Sequence, residues 1–303
     1  MNKVFISFEQ NTKKFQWALL TFLVSLLLYG LYKNGFSYYF QGLITLQEAS
    51  SLLLFPLISL ACSFLYECLE KRRVHFSLSG AMEGILFCLL IYPRFPLWCY
   101  LILVVLYFLL KKFLATKLPT VSLICLIKVL SMLLSEFIFH INYQNIVEVS
   151  YPYLYGILDA FFGRSVGALG TTSIFLILIC YGVSCSNYYY KKELPIYILG
   201  SFFLLETIYV LLVSHDNLLL ELLNSHVFFA AIVLAPMKNK SPAEAKGLVL
   251  YGIAIGIGGF FISNFVNMTD GIYIVLLLAQ IIWTIYLNIQ TVKYQKTLVT
   301  QKD

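Results

Sequence analysis

Charged residues are scarce in this sequence, and their scarcity excludes a water-soluble protein. Only 12% of the 303 residues are charged, whereas 60% are hydrophobic and the mean hydropathy is +0.83. Soluble domains carry about 25% charged residues. No stretch between the apolar runs is long and polar enough to form a soluble domain. We therefore expect residues 1–303 to form a single membrane domain that lies in a lipid bilayer.

Histidine is also rare, and the residue patterns of metal and catalytic sites are missing. The four histidines, at positions 75, 140, 215 and 226, stand apart at the ends of apolar runs, and none of the seven cysteines forms a C-x-x-C pair. We interpret the cysteines as small buried hydrophobic residues. No Ser, His and Asp arrangement has a spacing suited to nucleophilic catalysis. The sequence thus predicts neither a metal site nor catalytic residues.

The net charge of +6 is not distributed as it would be on a nucleic-acid-binding surface. The 21 Lys and Arg residues form short clusters between apolar runs rather than a basic face. Of these, 17 lie in one alternating set of breaks, while the opposite set clearly holds only Lys33 and Arg94. Because cytoplasmic loops carry the excess of Lys and Arg, both termini are predicted to be cytoplasmic.

Ten apolar runs approach the length of about 20 residues that a helix needs to cross a bilayer. Only Pro93, Arg94, Phe95 and Pro96 separate the third run from the fourth, which predicts a tight hairpin. The pattern predicts an all-α polytopic membrane protein with ten transmembrane helices. These spans are residues 15–32, 49–69, 77–92, 97–111, 118–139, 168–187, 194–213, 219–236, 247–265 and 271–290.

A long break without lysine, residues 140–167, divides the spans into two sets of five. The first half covers residues 15–139 and the second covers residues 168–290. Because each half has an odd number of spans, the two halves are predicted to have opposite orientations, as in inverted-repeat membrane folds. The halves show no obvious sequence similarity, so this prediction depends on hydropathy alone.

Ionisable residues inside the predicted spans are candidates for an ion pathway, because a charge at the bilayer centre costs about 2.5–3.5 kcal/mol or more. Glu83, Lys128, Glu136 and Glu206 lie in such positions. Lys128 and Glu136 are eight residues apart and face a similar side of one helix. The alternative is pairing between helices, or extension of a side chain towards the bilayer surface.

Two glycine-containing stretches are candidate binding elements. Residues 163–173 (GRSVGALGTTS) precede or open the sixth span, where free backbone N–H groups could hold an anionic or polar ligand group. The alternative is a glycine-lined helix crossing. Gly252 and Gly256 have GxxxG spacing, which by itself indicates close helix packing.

Four stretches, in order along nearly the whole chain, resemble one family. They are GAMEGIL at 80–86 with Pro93, Pro96 and Trp98; GALGTTS at 167–173; FAAIVLAP at 229–236 followed by SPAEAKGLVLYGIAIG at 241–256; and NMTDG at 267–271. Together they resemble the NqrB/RnfD family, the membrane subunits of the sodium-pumping NADH:quinone oxidoreductase and of the Rnf complex.

The resemblance implies a ten-helix fold akin to ammonium and urea transporters. It also implies electron transfer coupled to ion movement, with other membrane subunits as partners in a bacterial cytoplasmic (inner) membrane. In this family FMN is esterified to a threonine just before the sixth helix. That threonine is missing here, because residues 121–170 contain no threonine. Three positions that are acidic in the family carry other residues: Ser77, Thr171 and Met237.

The departures from the family pattern imply a divergent member that holds flavin, as FMN or riboflavin, or quinone, without a covalent bond. Its expected site lies between two facing segments, residues 80–84 and residues 167–173. The residues expected to contact it are Gly80, Gly84, Gly167, Gly170, Thr171, Thr172 and Ser173. Asp270 keeps a carboxylate where the family has one, so it joins Glu83, Lys128 and Glu136 as a candidate for the ion pathway.

Two other functional classes stay open at this point. One is a transporter or channel for a small solute or flavin, built on the same inverted repeat. The other is a non-catalytic assembly subunit that has lost its cofactor.

Overall fold

The structure, a computed structural model, describes most of the chain. It describes the backbone of residues 2–300 except 75–76, 115–117, 119, 140–155, 165–166, 188–189, 215–216, 238–239, 243, 267 and 269. Side chains are described for the same residues except 2–14, 136–137, 139 and 291–300. The predicted outer break therefore lies mostly outside the described residues.

Within these residues the chain forms helices and connecting turns, with no β-strand. The described α-helices are α1 (Asn2–Leu31), α2 (Ser37–Phe40), α3 (Leu46–Ser51), α4 (Leu54–Lys71), α5 (Leu78–Leu89), α6 (Leu97–Leu114), α7 (Leu123–Leu133), α8 (Ile157–Phe162), α9 (Ile174–Ser184), α10 (Glu193–Tyr209), α11 (Leu218–Leu222), α12 (Ser225–Phe229), α13 (Ala245–Phe265) and α14 (Ile272–Thr300). Short π-helical segments continue four of them: Tyr32–Phe36, Leu134–Phe139, Val210–Ser214 and Ala230–Leu234.

Six of the described helical stretches are long and apolar enough to cross a membrane, which identifies a multi-pass membrane protein. They are Phe15–Phe40, Leu46–Lys71, Leu97–Leu114, Glu193–Ser214, Ala245–Phe265 and Ile272–Gln290. Four shorter apolar helical stretches lie at the other four predicted spans: Leu78–Leu89, Leu123–Leu133, Ile174–Ser184 and Leu218–Leu234. The all-α membrane class is confirmed, and the count of ten crossings stays a prediction.

Two of the short helices have clear physical limits. The Ser77 side chain accepts a hydrogen bond from Gly80 N–H and so caps the start of α5, which ends before the turn that contains Pro93. Ser173 caps α9 in the same way through Leu176 N–H. The predicted sixth span, 168–187, is therefore too long at its start, because residues 167–173 form irregular chain.

The helices pack in a pattern that recurs along the chain. In the first part, α1 packs against α5, α4 packs against α5 and α6, and α6 packs against α7. In the second part, α9 packs against α12, α10 against α12 and α13, and α13 against α14. Contacts of α1 with α9 and of α7 with α14 join the two parts.

The spacing of Gly252 and Gly256 lets α13 pack closely against α10, as the sequence predicts. A Cβ at Gly252 would lie 2.7 Å from Cβ of Tyr197, and one at Gly256 would lie 3.1 Å from the Phe202 backbone nitrogen. Real carbon contacts are about 3.5–4.0 Å, so only glycine allows α13 to lie this close to α10. The prediction of close helix packing is confirmed.

Candidate functional site

Segment 167–173, the predicted ligand-binding element, runs against the end of α5. The backbone N–H of Leu169 donates to the Ile91 carbonyl at 2.9 Å. The next N–H, that of Gly170, donates to the Leu89 carbonyl at 3.0 Å. Carbonyls at the end of a helix have no partner inside the helix, and this segment supplies their donors. Two of the N–H groups that were predicted to face a ligand, those of Leu169 and Gly170, are therefore used within the protein.

The same segment is packed tightly from two sides. A Cβ at Gly30 of α1 would lie 2.5 Å from the carbonyl carbon of Leu169. On the other side, a Cβ at Gly170 would lie 2.9 Å from Cγ of Leu89. The expectation that Gly170 leaves room for a ligand ring is therefore corrected, because the Leu89 side chain fills that space. No room is left at Gly170 for an isoalloxazine ring, and flavin binding by the chain stays a prediction.

The other predicted segment, at Gly80 and Gly84, packs on α4. A Cβ at Gly80 would lie 2.8 Å from the Ser63 Oγ, and one at Gly84 would lie 3.1 Å from the Ser59 carbonyl oxygen. Segment 167–173 instead bonds to the opposite end of α5. The expectation that the two segments face each other is therefore corrected, because Gly80 lies near the start of α5 and segment 167–173 bonds to its end.

A carboxylate contacts Ser77, one of the three positions where the family's acidic residue is missing. Glu67 of α4 is buried and accepts hydrogen bonds from the Ser77 backbone N–H, at 2.8 Å, and from the Ser77 hydroxyl. The neighbouring helix thus supplies a negative charge at the start of α5, where the helix dipole favours one.

The most concentrated buried charge surrounds Asp270, just before α14. Its Oδ2 lies 2.7 Å from Nζ of Lys128 on α7 and accepts a hydrogen bond from the Tyr92 hydroxyl. Its Oδ1 lies 2.8 Å from Nε2 of His226 on α12. The side chains of Lys128 and Asp270 are only 1% and 3% exposed. We call these four residues the Asp270 cluster.

Lys128 has further contacts that fix its ammonium group in place. Its Nζ donates to the Leu90 carbonyl at 2.9 Å and lies 4.1 Å from the centre of the Tyr92 ring. A cation over an aromatic face is attracted by the electrons of the ring. The end of α5 therefore helps to hold the Lys128 charge.

Segment 167–173 reaches the Asp270 cluster through His226. The Thr171 Oγ1 lies 3.4 Å from Nδ1 of His226, and a Cβ at Gly167 would lie 3.6 Å from Nε2. Three buried polar atoms around this place have no hydrogen-bond partner among the described residues: Asp270 Oδ1, Thr172 Oγ1 and Tyr273 Oη. The 2.8 Å approach of His226 to Asp270 Oδ1 is an ion-pair distance without the alignment of a hydrogen bond. Buried polar atoms in proteins nearly always have hydrogen-bond partners. Three such atoms without a partner mark this place as a candidate polar binding site.

The other candidates for the ion pathway lie apart from the Asp270 cluster. Glu83 pairs with Lys111 at 2.6 Å and accepts a hydrogen bond from Tyr107 at 2.9 Å. Glu206 accepts a hydrogen bond from Asn264 at 2.8 Å. Both show the pairing between helices that was the alternative explanation. The side chain of Glu136 lies outside the described residues.

Sequence reasoning found Lys128 and Asp270 but missed their partners. His226 lies inside the predicted eighth span, residues 219–236, and not at its end, so its ionisable side chain is itself a signal. Tyr92 carried no signal beyond its position before Pro93. Among the predicted flavin-binding residues, Gly167, Thr171 and Thr172 lie at or beside this cluster, and Ser173 lines a neighbouring cleft.

That cleft, of about 640 Å³, lies between the end of the Phe15–Phe40 helix and the start of α9. Basic and aromatic side chains line it, among them Lys33, Arg164, Tyr29 and Phe162.

Comparison with known proteins identifies a family. A family model described as "NQR2, RnfD, RnfE family" matches residues 1–292. No curated protein matches the chain.

Proposed function

Because the chain belongs to the NQR2, RnfD, RnfE family, we propose that it acts as a membrane subunit of an electron-transfer complex of the Rnf/Nqr type. The observation that carries this proposal is the extent of the match, which includes every predicted span. Isolation of the chain from its own membranes under mild conditions tests it. A subunit comes away with its partners, whereas a transporter or a lone anchor does not.

The finer part of the proposal is a ten-helix fold of two inverted five-helix halves. It is supported by matching neighbours in the two parts of the chain. The contacts of α1 with α5 and of α4 with α6 correspond to those of α9 with α12 and of α10 with α13. On this proposal α7 and α14 are the fifth helix of each half, and the bacterial cytoplasmic membrane holds both termini on the lysine-rich side.

We propose that the Asp270 cluster is the place where ion movement and the contact between the halves are coupled. Lys128 belongs to the first half, and Asp270 and His226 belong to the second. Paired ionisable residues inside a membrane protein mark ion and proton pathways. A proton or cation that binds Asp270 removes much of the attraction that holds Lys128 there, so binding loosens the contact between the halves.

Flavin association without a covalent bond is the cofactor part of the proposal. When bound, FMN or riboflavin would supply one- and two-electron chemistry. Membership of the family supports flavin association, whereas the tight packing at Gly170 does not support it. That packing favours, as the second candidate function, an assembly subunit without a cofactor in segment 167–173.

The cofactor part makes a direct prediction. The denatured chain is expected to show no flavin fluorescence in a gel, because the family esterifies FMN to a threonine hydroxyl and residues 121–170 contain no threonine. The native chain, purified gently in lipid, is expected to show flavin absorbance, and the flavin is expected to separate from the protein on denaturation. A fluorescent band on the gel would mean that another hydroxyl, such as that of Thr171 or Thr172, carries the flavin. A colourless native protein would remove the cofactor from the proposal.

A further inference from the structure

The cleft beside α9 brings together basic residues that the charge pattern makes unusual. Only four of the 21 Lys and Arg residues lie outside the lysine-rich breaks: Lys33, Arg94, Lys128 and Arg164. Lys128 belongs to the Asp270 cluster. Of the remaining three, Lys33 and Arg164 both line this one cleft. Basic residues are disfavoured on the lysine-poor side of a membrane protein. Two basic residues that line the same cleft there therefore need a local reason.

The two cations differ in environment in a way that suits a bound anion. Lys33 is only 8% exposed and lies in the π-helical segment Tyr32–Phe36, within an apolar helix. Irregular π turns of this kind are frequent at functional sites. The Arg164 side chain is 75% exposed, and the ion pair that it forms with Asp159 is long at 3.4 Å. A guanidinium has five donors, so one such contact leaves Arg164 able to bind an oxyanion as well.

Aromatic and apolar side chains form much of the rest of the cleft. Tyr29, Tyr32, Phe162 and Phe175 line it, and the last three are among the exposed large hydrophobic residues of the protein. Aromatic residues concentrate where the hydrocarbon of a bilayer meets the headgroups. The cleft therefore combines two basic side chains with aromatic surface, and its volume of about 640 Å³ lies within the usual size of ligand sites, about 300–1,000 Å³.

We propose that this cleft binds the headgroup of an anionic phospholipid on the lysine-poor side of the membrane. Lys33 and Arg164 contact the phosphodiester, and the aromatic side chains contact the glycerol and the first part of the acyl chains. A lipid is the occupant that fits both parts, because a water-soluble anion leaves the exposed aromatic surface uncovered. A zwitterionic lipid carries a cation beside its phosphate, and the two basic side chains repel that cation, so they favour an anionic headgroup.

Binding of phosphatidylglycerol and of phosphatidylcholine to the purified protein tests this proposal. Each lipid is added to delipidated protein in mild detergent, and bound lipid is counted by native mass spectrometry while thermal unfolding is followed in parallel. The variants are Arg164→Gln and Lys33→Gln/Arg164→Gln. Arg94→Gln is the matched control, because Arg94 lies in the same set of breaks but does not line the cleft.

Wild type and Arg94→Gln are expected to bind phosphatidylglycerol in preference to phosphatidylcholine. Each lost charged contact is expected to weaken phosphatidylglycerol binding about tenfold, as for a hydrogen bond to a charged group. Arg164 is exposed, so Arg164→Gln keeps the test valid even if the double variant unfolds. Equal binding of phosphatidylglycerol by Arg164→Gln and wild type would overturn the proposal. So would displacement of the lipid by FMN, since the phosphate site would then belong to a mononucleotide.

Discussion

Replacing Lys128 with methionine is expected to lower the free energy of unfolding by about 3 kcal/mol, the lower end of the cost of breaking a buried ion pair. The reason is that Lys128→Met leaves the Asp270 carboxylate buried without its 2.7 Å partner. The Tyr92 hydroxyl and His226 still contact Asp270, which keeps the loss at the lower end. Chemical or thermal unfolding of the purified protein in lipid-containing detergent measures it.

Two matched variants separate this effect from the loss of a lysine in general. Lys128→Met/Asp270→Asn removes both charges, so it is expected to recover most of the lost stability. Lys111→Met breaks the Lys111–Glu83 pair, whose side chains are 25% and 23% exposed, and should cost no more than about 1 kcal/mol. If Lys128→Met and Lys111→Met cost the same, the Asp270 cluster does not hold the structure as described.

Gly30→Ala is expected to destabilise the protein by about 3 kcal/mol, the upper end of the cost of overpacking a core. The added methyl group would lie 2.5 Å from the carbonyl carbon of Leu169. Backbone cannot turn aside as a side chain can, so segment 167–173 must shift away from α1. That shift would strain its hydrogen bonds to the Leu89 and Ile91 carbonyls.

Gly200→Ala provides the control for Gly30→Ala. Gly200 also lies inside a helix, α10, and a Cβ there would have nothing within 4 Å. Because alanine is the better helix former by about 1 kcal/mol, Gly200→Ala should be neutral or stabilising. Equal tolerance of the two substitutions would show that segment 167–173 does not lie against Gly30. Measurement of melting temperatures for the three proteins, wild type included, decides between these results.

Several features of the molecule could be predicted from the sequence because they depend on local pattern. The scarcity of charge predicted a membrane protein, and the ordered motifs indicated the family. The GxxxG spacing of Gly252 and Gly256 predicted a tight helix crossing. In each of these the signal is set by neighbours along the chain. The positions of the four shorter apolar helices also agree with predicted spans, although their ends do not.

The details of the site could not be predicted, because they depend on contacts distant in sequence. Lys128 and Asp270 each stood out as a candidate, but nothing in the sequence pairs one with the other. Segment 167–173 looked like a helix start with free N–H groups. In the structure the end of α5 accepts hydrogen bonds from the N–H groups of Leu169 and Gly170, and the Leu89 side chain fills the space at Gly170. Periodicity and spacing carry no information about such a partner.

Isolation of the tagged chain from its native membranes tests the proposed function most directly. Mild solubilisation, affinity purification and protein identification are followed by a reduced-minus-oxidised difference spectrum of the purified material. We predict that wild-type chain is recovered with other membrane subunits and redox proteins in fixed proportion. We also predict that Gly30→Ala, which displaces segment 167–173, is recovered with less of them than Gly200→Ala is. Recovery of a stable, correctly folded chain on its own, with no redox-active partner and no redox spectrum, would contradict the account.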